Sequence, residues 1–429
     1  MIQIRRSVPE LDAVRTMDQM HHDPTNQRVH VVRGRGRLLG EVTCDGRHVL
    51  AQRVIRFELL GGVLGRLKEP YVVKDPHVGF GDKRLRRHHH SIILHSPRRR
   101  EFLLYNLTHR LLPKMDRHSI VVQLGFMAAY GEFGASYTQR DLLIYALGIG
   151  CGHYPHGERD KHVDAKFTTE LHDQFAAFPL YPVVLLFKGT SQDTVAYPPP
   201  NLSWFPDGIP SFNPAGTLHA EQSIEIHRPL PSTGAAVTCH RRVVSFHPKG
   251  ATSALLETEY KLVDESTRVP LCTIVMSSFL RGLESRFTGV GPKASKKPSM
   301  PQRKPDASLA LPTWPSQAYF YRLSGDYNPL HCDPDMAQAL GFQEPILHGL
   351  CSMGVAARAL LHLCCDNDPT AFRKMSVRMT KPCIPGETLE TSVWRVEGAP
   401  TVHFQTRVVE RDVVVLDGGE FTFGPSARL

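Results

Sequence analysis

Alternation of apolar and polar positions is clearest in the last two-thirds of the chain. Residues 223–227, 243–246, 255–262 and 273–279 alternate as half-buried strands do, and 387–396, 402–410 and 412–423 repeat the pattern. A helical stretch precedes each group. The first opens at Thr138, a good N-cap type, ahead of the apolar run 142–150. The second is the apolar run 346–365, whose first turns carry the small residues Gly349, Ser352, Gly354 and Ala356. Blocks 136–290 and 313–429 therefore read as related α+β units, each a helix laid on an antiparallel sheet. Between them, 291–312 is rich in Pro, Lys and Ser and reads as a linker.

Residues 1–135 have a different texture. No period is sustained there, and 101–112 is the best helical candidate. The segment predicts a poorly structured basic extension. Of the formal net charge of +9, residues 1–135 alone carry +10, and they hold 11 of the 23 histidines. The basic runs Arg33-Gly34-Arg35-Gly36-Arg37 and Arg98-Arg99-Arg100 lack the interleaved aromatics of a single-strand binder, so no nucleic-acid partner is expected. His88-His89-His90 has no companion ligands to complete a metal site. The glycines at 34, 36 and 40 miss the spacing of a dinucleotide loop by one residue. Glu10, Asp12 and Asp18 argue against a mitochondrial presequence.

Overall composition, 41% apolar and 22% charged, is that of an ordinary soluble protein. Apolar runs such as 182–187 and 413–416 are far shorter than the ~20 residues of a membrane span, so none is expected. Nine scattered cysteines without Cys-x-x-Cys spacing predict neither a disulfide framework nor structural zinc, and point to a reducing compartment.

One stretch carries chemistry: Tyr321-Arg322-Leu323-Ser324-Gly325-Asp326-Tyr327-Asn328-Pro329-Leu330-His331-Cys332-Asp333-Pro334, followed by Gly341-Phe342 and Pro345-Ile346-Leu347-His348-Gly349-Leu350-Cys351. Gly325 and Pro329 punctuate a turn, and Asp333 is placed to cap a short helix over 336–340. Asp326, Asn328 and His331 fall within six residues. A neutral imidazole can take a proton from water, a carboxyl can give one back, and an amide can orient the water. The N–H of Gly349, opening an apolar helix, could hold a developing oxyanion. On the residues alone, the trio fits equally a polar turn that bonds its own backbone. His348, among apolar neighbours, reads as a structural histidine.

The stretch resembles the hydratase 2 motif of the MaoC-like (R)-specific enoyl-CoA hydratases, most like the hydratase domain of peroxisomal multifunctional enzymes type 2. Every position of Tyr-x-Leu-Ser-Gly-Asp-x-Asn-Pro-Leu-His-x-Asp-Pro, Gly-Phe and Pro-Ile-Leu-His-Gly-Leu-Cys is filled. Similarity continues outside it, in the stretches 137–148, 175–184 and 218–222, in Arg228-Pro229-Leu230-Pro231, and in Lys381-Pro382, Pro385-Gly386-Glu387-Thr388-Leu389 and His403-Phe404-Gln405-Thr406.

The resemblance implies a double hot dog, two tandem helix-on-antiparallel-sheet units. The first, 136–290, would bind the acyl chain, and the second, 313–429, would carry catalysis. It implies hydration of trans-2-enoyl-CoA to (3R)-3-hydroxyacyl-CoA without a cofactor, CoA being part of the substrate. His331 would activate water, Asp326 would exchange the α proton, Asn328 would orient the groups, and Gly349 would hold the thioester oxygen. Substrate contacts would fall on His219, Ala220, Lys249 and Met379, where Ala220 replaces a usual glycine and Met379 a phenylalanine. A homodimer is the family expectation. Ala427-Arg428-Leu429 has the form of a peroxisomal import tail, implying the import receptor as a partner and a peroxisome-like organelle as location. Two other readings stay open, a hot-dog acyl-CoA thioesterase and a non-enzymatic binding protein acting through the basic arm.

Overall fold

The computed structural model describes residues 130–153, 163–202, 205, 209–213, 217–285, 287–293 and 297–424, with the backbone of five short strands nearer the N-terminus. The chain divides into two compact units, Met1–Ile120 and Val121–Leu429. In the first, β1 (Asn26–Arg33) pairs antiparallel with β2 (Arg37–Asp45) and β5 (Ser91–Ile92), and β3 (Arg53–Ile55) pairs with β4 (Tyr71–Val73). Where a dinucleotide loop would need a helix, β2 is a strand, which removes that reading. The candidate helix 101–112, His88-His89-His90 and Ala427-Arg428-Leu429 lie outside the described residues.

The second unit is built on one ten-stranded antiparallel sheet. Its strands are β6 (Tyr130–Tyr137), β7 (Leu218–Ile226), β8 (Ala235–Pro248), β9 (Ser253–Asp264), β10 (Pro270–Arg281), β11 (Ala307–Pro312), β12 (Phe372–Met379), β13 (Thr388–Arg395), β14 (Thr401–Val408) and β15 (Val413–Phe423). Their order across the sheet is β11-β13-β14-β15-β12-β7-β10-β9-β8-β6. Numbered within each half, both edges read inward as first, third, fourth, fifth, second strand. The halves are thus two copies of one topology joined through β7 and β12, the double hot dog implied by the motif.

Three strands depart from the sequence reading. β6 begins at Tyr130 and β11 at Ala307, so the first half starts ahead of residue 136 and the end of the expected linker is sheet edge. Two glycines in β6 and the small residues of β11 give little alternation to read, and both are edge strands held by a single neighbour. In β12 the paired charges Arg373 and Lys374 break the period.

Among the described residues the helices are α1 (Gln139–Gly148), α2 (Ala165–Thr168), α3 (Pro182–Lys188), α4 (Gln317–Tyr321), α5 (Pro334–Ala339) and α6 (Gly349–Cys365). Among the described residues none is long and apolar enough to cross a membrane. α1 starts where Thr138 predicts: the Asp141 carboxylate accepts from Thr138 N at 2.8 Å and Thr138 Oγ1 at 2.9 Å. The small and apolar residues of α6 let it sink against β11, β12, β13 and β15, with Leu350 to Leu361 buried throughout. A Cβ on Gly354 would lie 2.4 Å from Ile149 Cγ2, so glycine there lets α6 meet the end of α1. One continuous core spans both halves, from Leu142 and Tyr145 through Ile224 and Ile274 to Met375 and Phe421.

Candidate active site

The motif loop is clamped before its chemistry begins. After α4 the chain makes a 3-10 turn over Arg322–Ser324 and then Gly325, at φ 130°. A Cβ there would sit 2.8 Å from the backbone N and the Cβ of Lys188, so the loop lies directly on the C-terminal end of α3. Lys188 is itself anchored: its Nζ donates to Ser136 O at 2.9 Å and faces Asp141 at 3.6 Å. Gly325→Ala is therefore expected to cost roughly 1–3 kcal/mol of stability and to displace the loop, lowering activity and melting temperature together. Circular dichroism melts alongside the activity assay check this; unchanged values for both would show the contact to be soft.

Beyond Gly325 the loop bonds itself. Asn328 N donates to Asp326 Oδ1 at 3.3 Å, and Asn328 Oδ1 accepts from Leu330 N at 3.1 Å, capping the 3-10 turn Pro329–His331. The side-chain carbonyl of Asn328 is thus used locally, while its NH₂ group is left as a donor. Asp333 caps α5 by accepting from Asp335 N and Met336 N.

His331 and Asp326 are almost enclosed, 8% and 7% exposed. His331 Nδ1 donates to the carbonyl of Ile346 at 2.8 Å, a partner that can only accept, so Nε2 carries the basic lone pair. Burial lowers the His331 pKa to about 4, only partly offset by that bond, and keeps the ring neutral. Burial raises Asp326 to about 6, against the lowering effect of the Asn328 N–H. Desolvation thus prepares a neutral base beside a carboxyl that holds its proton far above the usual range.

α6 starts at Gly349, three residues later than the apolar run suggests. The Ile346 carbonyl serves His331 and Leu347 N donates to Cys383 O at 2.8 Å, which draws these residues out of the helix. Gly349 N is consequently a first-turn donor without an intrahelical acceptor. Its Cα faces Met379: a Cβ would approach Met379 Cγ to 3.1 Å. Arg378↔Glu221 is the last pair of the β12–β7 ladder, and Met379 and Ala220 are the residues that adjoin it on the two strands. Ala220 is the extra residue of a β-bulge, since the β10–β7 register passes from Ser277↔Glu221 to Ser278↔His219. His219 is held neutral by burial, which lowers its pKa to about 4, and its Nε2 is buried without a hydrogen-bond partner.

The structure therefore gathers Asp326, Asn328 and His331 in one loop, and Gly349, Met379 and Ala220 around the seam of the two half-sheets. Lys249 stands apart. It is exposed at the tip of the β8–β9 hairpin, its N bonded to Ser253 O at 2.8 Å. Its neighbours Pro248 and Gly250 line an open cleft of about 390 Å³ with Leu283, Ser285 and Phe287. One contributor escaped the sequence reading: Ile346 acts through its carbonyl, which no side-chain pattern reveals.

Donor atoms of Asp326, His331 and His348 lie within 4.8 Å of one another, and by type they could take a metal ion. The imidazoles, however, are stacked at 3.7 Å with 27° between planes, and each already commits one nitrogen to a backbone carbonyl. The geometry suits proton transfer.

Fold and site together define a double hot dog with one acid–base loop at the seam of its halves. Two family models match in tandem, the MFE-2 hydratase 2 N-terminal domain over residues 135–282 and the MaoC like domain over 296–418. "Enoyl-CoA hydratase 2, peroxisomal" of Arabidopsis thaliana is 37% identical over 301 residues, covering 66% of this chain and 89% of that protein. "Peroxisomal multifunctional enzyme type 2" of Mus musculus is 36% identical over 309 residues, covering 71% of this chain but only 39% of that protein. A solved MaoC-like dehydratase from Phytophthora capsici is 45% identical, covers 70% of this chain and 97% of its own, and superposes with a TM-score of 0.64. The chain belongs to the MaoC-like hydratase 2 family.

Proposed function

We propose that this protein is a hydro-lyase that reversibly adds water to trans-2-enoyl-CoA, giving (3R)-3-hydroxyacyl-CoA in fatty acid β-oxidation. The observation that carries the reading is the meeting of Asp326 and His331, both buried, at one enclosed point, with His331 Nδ1 tied to the Ile346 carbonyl. Neutral His331 takes a proton from water at Nε2 as the oxygen bonds to the β carbon. Asp326 delivers its proton to the α carbon, and the Gly349 N–H receives the charge that builds on the thioester oxygen. Transfer of one proton from His331 to Asp326 restores both groups. The chemistry moves only protons and water, so it asks for no resident metal or redox group. Lys249, a mobile point charge, suits a CoA phosphate, and the cleft beside it suits the nucleotide end.

The test is trans-2-decenoyl-CoA incubated with the full chain, with chiral analysis of the product and a thiol reagent present. The expected result is the (3R) product with no free thiol. Release of CoA thiol would instead establish a thioesterase. Peroxisomal residence is part of the proposal, supported by the names of the mouse and Arabidopsis relatives. Fluorescent fusions with and without Ala427-Arg428-Leu429 test the import receptor, and sedimentation tests the homodimer.

A further inference from the structure

We propose that His348 is the positioning residue of this site, holding acid and base at once from the residue that caps α6. The inference rests on the reading of Asp326 and His331 as the acid–base pair. His348 is 1% exposed and precedes Gly349 as the N-cap of α6. It touches both partners by different means. Its Nε2 donates to the backbone carbonyl of Asp326 at 3.1 Å, and its ring lies on the ring of His331, centroids 3.7 Å apart.

The bond to Asp326 sets the His348 tautomer. A carbonyl only accepts, so Nε2 carries the hydrogen and Nδ1 is a bare lone pair, buried and without a hydrogen-bond partner. The same argument puts the hydrogen of His331 on Nδ1. Each ring is thereby turned so that its bonded edge faces backbone, and the His331 Nε2 lone pair is left for water.

The surroundings keep His348 neutral. Burial, the neighbouring His331 and the charge of Arg322 all lower its pKa, outweighing the bond to Asp326. Around it stand Tyr321 from α4, ring centroid at 4.9 Å, Arg322 from the 3-10 turn, and Asp326 and His331 from the loop. When His331 takes a proton from water, its imidazolium rests on the face of a neutral imidazole where bulk water cannot reach. A flat π-face solvates that cation, as an aromatic ring solvates other cations. One residue thus orients the acid through its main chain and supports the base through its ring.

Two variants separate the parts. His348→Phe keeps a ring under His331 and loses the donor to Asp326. His348→Gln keeps a donor and loses the ring. We expect His348→Gln to lower kcat at least 10-fold with KM little changed. Its acid limb in kcat/KM should move from about 4 toward the ordinary histidine value as water reaches His331. We expect His348→Phe to lower kcat while leaving that limb in place. Folded variants of both kinds with wild-type kcat and limbs would reduce His348 to a simple cap and overturn the proposal.

Nitrogen NMR of the unsubstituted protein decides the matter even where a variant fails to fold. The expected signals are His348 as the Nε2–H tautomer and His331 as the Nδ1–H tautomer, both still neutral as the pH falls to the ordinary histidine value. A cationic His348 above that pH contradicts the proposal. Absence of hydration by the unsubstituted protein would sink the functional reading alone, since the tautomers are read without turnover.

Discussion

Asp326→Asn is expected to slow hydration by about 10²–10⁴-fold while leaving the fold and acyl-CoA binding in place. The side chains are nearly isosteric, and Asn328 N still finds an oxygen where it now meets Asp326 Oδ1. What disappears is the carboxyl proton that the proposed mechanism sends to the α carbon. The pH dependence follows from the two shifted groups. Asp326 must be protonated, so kcat/KM of the unsubstituted enzyme falls as pH rises through about 6. His331 must be neutral, so it also falls as pH drops through about 4. Between these values both groups are in their working states. A pH–rate profile of the free enzyme checks this, and the Asn variant should lose the upper limb and keep the lower. A wild-type profile that instead climbs steadily above about 6 would show that Asp326 works ionised and would contradict its role as the acid.

The largest effect on stability is expected at Arg358. In α6 it lies almost wholly buried, its Nη2 2.9 Å from Asp164 Oδ2, with Nη1 donating to Ile149 O at 3.4 Å. Asp164 also accepts from Gly152 N at 3.2 Å. The pair thus ties the long helix of the second half to the segment that leaves α1 in the first. Arg358→Met leaves a buried carboxylate without its cation, at a cost of ~3–5 kcal/mol. That is a large fraction of the ~5–15 kcal/mol by which a domain is stable. Urea unfolding should show a lower midpoint with an unchanged slope. Pairing it with Asp164→Leu should recover part of the loss, because no lone charge is then left inside. A midpoint within error of wild type for Arg358→Met alone would show that the halves hold together through packing only.

What the sequence made legible was whatever sits close together along the chain. Asp326, Asn328 and His331 fall within one turn, and Thr138 with Asp141 announces a helix start in four residues. Contacts made only by folding were not legible. His348 reads as a histidine among apolar neighbours, yet its ring meets His331 across seventeen positions because the intervening helix α5 doubles the chain back. Arg358 and Asp164 are 194 positions apart. The apolar run places the start of α6 three residues early because hydropathy cannot register that the Ile346 carbonyl is taken by an imidazole. β6 and β11 escaped because edge strands need only one partner, and their small residues do not alternate strongly. Met379 and Ala220 entered through resemblance alone; the strand pairing that ends at Arg378↔Glu221 is what brings their two strands side by side.

The central claim is that His331 is the base of a hydration reaction seated at this loop. Its most direct test is the decay of enoyl-thioester absorbance of trans-2-decenoyl-CoA, measured side by side for the full chain and His331→Ala at equal, saturating substrate. The account predicts rapid loss with the unsubstituted protein and at least ~10²-fold slower loss with the variant, both proteins melting alike. Equal rates for the two would contradict it, and would move the base to another residue.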